Sequence, residues 1–242
     1  MGKKAIYLLT FTLLSGLAYP QNSFDELITS GNKKIKEKNY TGAIENFENA
    51  KNIQSTDTAA LNGLIKAYTL SEDYKSAQKQ IDEALKYYPD NAEFVLRQGI
   101  IYNIRGLYDI ALEEFTRALT LNPSSRITLQ ILLNRATSEF LLDDFVSALA
   151  DYNKAIDMYP RNVSIYSYRG LVNFKLGNYL DAVNDYSNSI DLDPESPLNY
   201  YNRGMTYLKL SEKQKACIDF HKACKMGNIN ACKMIVTECG GK

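Results

Sequence analysis

Apolar and small residues recur along this chain at helical spacing and in long-range register. Over residues 92–125, Val95, Gln98, Gly99 and Tyr102 fall on one stripe at i, i+3, i+4 and i+7. Ala111, Phe115 and Ala118 form a second stripe, and Pro123 follows it. The same order returns with a 34-residue period in six units: 24–57, 58–91, 92–125, 129–162, 163–196 and 197–230. Residues 126–128 are the only insertion. A fixed period of this length predicts paired helices that cannot bury their apolar faces alone and do so by stacking.

Positions are counted from the first residue of each unit. Position 8 is small (Gly31, Gly99, Ala136, Gly170, Gly204), because a bulky side chain there would hold the two helices apart. Position 20 is alanine in every unit (Ala43, Ala77, Ala111, Ala148, Ala182, Ala216), which makes it the expected opposing surface. Position 24 is large (Phe47, Ile81, Phe115, Tyr152, Tyr186, Phe220) and fills the gap to the next unit. Pro89, Pro123, Pro160 and Pro194 end second helices. Asn91, Asn162 and Ser196 stand where the next helix needs an N-cap, and Pro197 takes a first helical position. Ser23 and Glu26 have capping-box spacing, which sets the expected start of the fold.

These phased residues resemble the tetratricopeptide repeat family over nearly all of residues 24–230. The resemblance implies an all-α superhelix, an α-solenoid of six helix pairs, with a capping helix and tail at 231–242. It also implies a concave groove lined by the first helix of each pair. The groove residues it assigns are Leu96, Ile100, Asn103, Leu133, Asn134, Phe140, Tyr168, Leu171, Phe174, Tyr201, Asn202, Met205 and Leu208. That surface is apolar and aromatic with spaced amides, suited to a peptide backbone, although such stripes also pack against neighbouring helices. Departures from the family pattern include Glu139 and Asn173 in place of an aromatic at position 11. Some members grip a C-terminal carboxylate; Asn32 and Arg97 match that pattern but Ile28, Gly63 and Glu93 do not, so no such clamp is expected. The run from Ala223 to Cys232 is similar to disulfide-linked Sel1-like repeats.

The N-terminus reads as a secretory signal peptide at 1–18, followed by a short leader at 19–23. Lys3 and Lys4 precede an uncharged apolar stretch, and Gly16 and Ala18 supply small residues before a cut. Residues 5–18 would span about 21 Å as a helix, short of a bilayer core of about 30 Å. The expected location is exported, periplasmic or secreted, with no stable membrane span after cleavage.

Four cysteines, Cys217, Cys224, Cys232 and Cys239, lie in the final stretch. The pairs 224/232 and 217/239 share a centre near residue 228, where a helical hairpin would turn. A spacing of seven within one helix is about 10.5 Å, beyond the roughly 7 Å between bonded Cα atoms. The expectation is Cys224–Cys232 with Cys217–Cys239, which an oxidising compartment would permit. The alternative is four buried thiols acting as small apolar residues. A zinc site lacks the close-paired ligand spacing.

Charge narrows the function classes. Lys+Arg and Asp+Glu are 28 each, so no basic footprint for nucleic acid is present. No phosphate loop, metal-spaced cluster or nucleophile elbow occurs, and the single histidine, His221, is expected on an outward face. No catalytic residue, metal or cofactor is assigned. Arg135, Arg169 and Arg203 recur at position 7, and Asp151, Asp185 and Asp219 at position 23. A hairpin turning near position 15–16 brings each Arg to its Asp. Asn39 and Asn162 also begin glycosylation sequons. The function expected is a non-enzymatic scaffold or adaptor for a protein or peptide ligand. The alternative is an envelope assembly or chaperone-like factor holding unfolded clients. Two repeat surfaces could also meet in a homodimer.

Overall fold

The computed structural model describes residues 21–240; the expected signal segment lies outside the described residues. Thirteen α-helices are found among them. The chain divides into two units, up to Gln80 and from Ile81 onward. The first holds α1 (Gln21–Lys36), α2 (Tyr40–Ile53), α3 (Thr58–Leu70) and the start of α4 (Tyr74–Tyr87). The second continues from α4 through α5 (Ala92–Ile104), α6 (Tyr108–Thr120), α7 (Ser125–Leu141) and α8 (Phe145–Met158). Then come α9 (Val163–Leu176), α10 (Tyr179–Leu192), α11 (Pro197–Lys209), α12 (Lys213–Lys225) and α13 (Ile229–Glu238). Among the described residues, no helix is long and apolar enough to cross a membrane.

In the first unit, Phe47 is fully buried and packs with Ile35, Ala43, Leu64 and Ala67. In the second, Phe115, Tyr152 and Phe220 anchor successive clusters. The sequence set the small residue of position 8 against alanine at position 20. In the structure position 8 meets chiefly the ring at position 24, and at Gly204 the position 20 carbonyl of Ala216 also lies 3.2 Å from an added Cβ. A Cβ on Gly99 would lie 2.5 Å from Phe115 Cε1, and one on Gly204 2.7 Å from Phe220 Cε1. Glycine is needed there for space, and the ring seats itself directly on helix backbone. The alanines at position 20 are fully buried beside it.

The turn inside each pair has one recurrent device. Position 15 carries positive φ in every repeat: Lys38 (59°), Glu72 (63°), Gly106 (73°), Asp143 (59°), Gly177 (80°) and Ser211 (60°). Only two of these are glycine, so four turns hold an L-residue in the left-handed region, at about 1–2 kcal/mol each. Side-chain caps start many of the helices. Asn91 accepts from the Glu93 and Phe94 amides, and Asp57 from Ala59 and Ala60. The sequon residues Asn39 and Asn162 cap α2 and α9 in the same way. One sequence expectation fails here: Ser23 lies inside α1, which begins at Gln21, so it does not have the extended backbone of an N-cap. Ser196 takes the expected N-cap position of α11 ahead of Pro197, with extended backbone and no side-chain cap bond. The insertion at 126–128 is absorbed as extra helix, making α7 17 residues long.

The arginines of position 7 form bidentate pairs within their repeats. Arg135 donates from Nε and Nη2 to Asp151 at 2.6 and 2.7 Å, and Arg203 to Asp219 at 2.8 and 2.9 Å. Arg169 Nη2 donates to Asp185 at 2.6 Å, and Asn173 Nδ2 donates to the same carboxylate at 2.9 Å. The free Nη1 of each arginine reaches back to the preceding repeat: to Thr116, Asn153 and Ser187 respectively. Each arginine therefore ties three helices together. Burial pushes the Asp185 carboxyl above the usual carboxylate range, against Arg169 and Asn173. Burying the charges is costly, so we assign these rungs to register more than to net stability.

At the end of the array, Cys217 bonds Cys239 and Cys224 bonds Cys232, with Cα separations of 5.7 and 4.8 Å. They join α12 to α13, across a turn at Gly227 (φ 93°) with Asn228 as N-cap. The final helix begins at Ile229, two residues before the expected cap boundary.

Replacing Glu72 by Gly removes the left-handed strain and should raise stability by roughly 0.5–1 kcal/mol after glycine's own entropic cost. Gly177→Ala, where nothing lies within 4 Å of an added Cβ, should lower it by a similar amount. Urea unfolding midpoints check both. Asp185→Ala should cost about 3 kcal/mol, because Arg169 is left partly buried and unpaired. The double replacement Arg169→Met/Asp185→Leu should recover most of that loss in the same measurement.

Candidate ligand groove

The first helices of the last two repeats, α9 and α11, lie side by side with α10 behind them. Three of these helices contribute to one cavity of about 180 Å³, lined by Leu171, Phe174, Tyr186, Tyr201, Asn202 and Met205. Five of those six were assigned to the groove from sequence. The sixth, Tyr186, is the position 24 ring of α10 and forms the floor. It is buried, and burial pushes its phenol well above the ordinary tyrosine range, so it stays neutral. No charged side chain lines the cavity. An apolar cavity of about 150 Å³ accommodates a benzene-sized group, so this one is large enough for an aliphatic or aromatic side chain.

Asn202 is the only amide in the lining. It is half-buried, and its side chain has no hydrogen-bond partner among the described residues. Tyr168 stands nearby on α9, 53% exposed and stacked on Tyr152 with ring centroids 6.0 Å apart. Tyr201 leans on Phe220, and Phe174 meets Tyr179 edge-on at 5.6 Å. The aromatic surface is thus braced from behind, which limits the side-chain entropy lost on binding.

Other assigned residues are placed differently. Leu96 is fully buried in the cluster around Phe115, so it belongs to the core and cannot contact a ligand. Ile100 packs partly against the same cluster. Leu133 and Phe140 pack against the Tyr152 cluster, and Leu208 against the Phe220 cluster, each partly buried. Two amides expected to meet a peptide have partners inside the fold. Asn103 accepts from Ser138 Oγ at 2.6 Å and donates to the Asn134 carbonyl, while Asn134 donates to the Gln130 carbonyl on its own helix. They join α5 to α7.

Sequence reasoning missed a further polar network at the junction of these repeats. Ser167 donates to Asn199 Oδ1 at 2.8 Å, Asn199 Nδ2 donates to Ser189 Oγ at 2.7 Å, and Ser189 also reaches the Val163 carbonyl. Asn199 and Ser189 are buried. The network pins α9, α10 and α11, the helices that line the cavity, to one another. A recurring small polar residue at position 25 (Thr116, Asn153, Ser187) would have been the signal for the rungs' second partners. His221 is exposed on α12, far in sequence from any of these groups.

Family models match three segments: residues 64–126 and 199–228 as a tetratricopeptide repeat, and 174–211 as a TPR repeat. Comparison with curated proteins returned no match. Among solved structures, Pseudomonas aeruginosa PilF aligns with a TM-score of 0.76 at 14% identity, over 89% of this chain and 98% of that one. A tetratricopeptide repeat protein from Parabacteroides merdae aligns at 0.63 and 22% identity, over 93% and 86%. YrrB, described as a TPR protein with an unusual peptide-binding site, aligns at 0.63 and 19% identity, over 75% and 92%. With its phased helix pairs, matched repeat segments and all-α architecture, the chain is a tetratricopeptide-repeat protein.

Proposed function

We propose that this chain is an exported, non-enzymatic scaffold that binds an extended peptide or protein segment, seating an apolar side chain of that segment between α9 and α11. The observation that carries this reading is the neutral cavity lined by Leu171, Phe174, Tyr186, Tyr201, Asn202 and Met205. Its walls supply contact area without charge, and Asn202 offers a donor and an acceptor to a peptide backbone. The peptide-binding site named for YrrB supports the class of ligand. Thioether, phenol and amide groups in the lining provide no activated nucleophile or acid–base pair, which supports a binding role. Export is supported by the Lys3-Lys4, apolar and Gly16/Ala18 pattern and by two disulfides, which persist in oxidising compartments.

Peptide arrays that vary one residue at a time test the reading. Peptides with a Leu, Met or Phe at one fixed place should bind best. Tyr201→Ala and Met205→Lys should each weaken that binding at least about 10-fold, equivalent to about 1.4 kcal/mol, with helical circular dichroism unchanged. Val146→Ser, at a 70% exposed site on α8, should leave it unchanged. Equal binding by all three variants would exclude the cavity as the ligand site.

A further inference from the structure

Position 11 of the fourth and fifth repeats holds Glu139 and Asn173 in the same surroundings. Both are buried, at 8% and 5% exposure. In the fifth repeat, the Asn173 amide completes the rung by donating to Asp185 Oδ2 at 2.9 Å. In the fourth, Arg135 is already engaged by Asp151 through two bonds, and Glu139 Oε1 stands 3.8 Å from the same Nε. Glu139 Oε2 has no hydrogen-bond partner among the described residues. Two buried carboxyl groups thus face one guanidinium whose donors toward them are spent. An ionised Glu139 would add a second negative charge near Asp151 in a largely buried site. Glu139 holds the repeat position of Asn173, and protonation gives it an O–H donor that an ionised carboxylate lacks.

We propose that the fourth repeat is a proton-operated joint, in which Glu139 takes a proton from solvent and, as a neutral acid, donates to Asp151 as Asn173 donates to Asp185. Gain of the proton tightens α7 on α8, and its loss loosens them. The groups that face Glu139 are Arg135 on α7, Asp151, Tyr152 and Lys154 on α8, and Asp144 at the α8 N-cap. Burial raises the Glu139 carboxyl most and Asp151 raises it further; Arg135 opposes them, Asp144 adds, and Lys154 opposes, leaving it at about 7. The folded value lies above the unfolded one of about 4.3. The folded state therefore binds this proton more tightly: the associated stability is full below about pH 4.3, is lost as pH rises from there through about 7, and levels off above it.

The test is the thermal midpoint of the full chain from pH 6 to 8.5, in a His221→Gln background so that the only imidazole is absent. The parent should lose several degrees across that range. Glu139→Gln, and Glu139→Asn as the copy of the fifth repeat, should be nearly flat and more stable than the parent at pH 8.5. A parent slope equal to that of both variants overturns the proposal. Carboxyl ¹³C NMR of the parent reads the group without any substitution at Glu139: a titration near 7 supports the joint, and one in the ordinary glutamate range overturns it. Amide exchange in α7 and α8, corrected for intrinsic rate, should quicken above pH 7 in the parent alone; equal behaviour in Glu139→Gln also overturns it.

Discussion

The structure depends on one contact that recurs in five of the six repeats: a large ring at position 24 seated on a small residue at position 8, with Ile81 and Ile65 in those places in the second repeat. Phe115 on Gly99 and Phe220 on Gly204 leave no room for a methyl group between them. The contact sets how near two helices approach, and so where the outer stripe of each first helix sits. The rings are buried, so the contact also contributes apolar burial to these repeats. The groove inherits its geometry from this packing. Tyr186 shows the link directly, since the same ring that packs on Gly170 also floors the cavity between α9 and α11.

Apolar packing alone leaves neighbouring repeats free to slip, because one ring-on-glycine contact resembles the next. The arginine rungs remove that freedom. Each needs a carboxylate in its own repeat and a small polar group in the previous one, at a fixed height on three helices. The network of Ser167 with the buried Ser189 and Asn199 performs the same task among α9, α10 and α11. Two disulfides fasten α13 to α12. The candidate cavity is thus lined by helices that these rungs and the polar network join.

Much of this could be read from the sequence because the repeat averages out local ambiguity. The period, the alanines, the rings and the arginine–aspartate spacing each recur in phase. What recurs less was harder to read. Gly106 and Gly177 mark the left-handed turn openly, but Lys38, Glu72, Asp143 and Ser211 adopt it because tertiary packing overrides their local preference. Leu96 has the periodicity of a groove residue and the burial of a core residue, since the two stripes differ by only one helical step. Asn103 and Asn134 look like free amides in sequence, but partners over 30 residues away, or one turn back, occupy them. Position 11 seemed a loss of an aromatic; in space it is where a polar side chain meets a buried carboxylate.

Entry of a peptide's apolar side chain between α9 and α11 is open to amide and methyl chemical-shift mapping during titration with the tightest-binding array peptide. The largest shifts should fall at Leu171, Tyr201, Asn202 and Met205, with little change at Val146, Leu180 and Ile218 on the exposed faces of α8, α10 and α12. Largest shifts on those exposed faces, with the cavity residues unmoved, would contradict it.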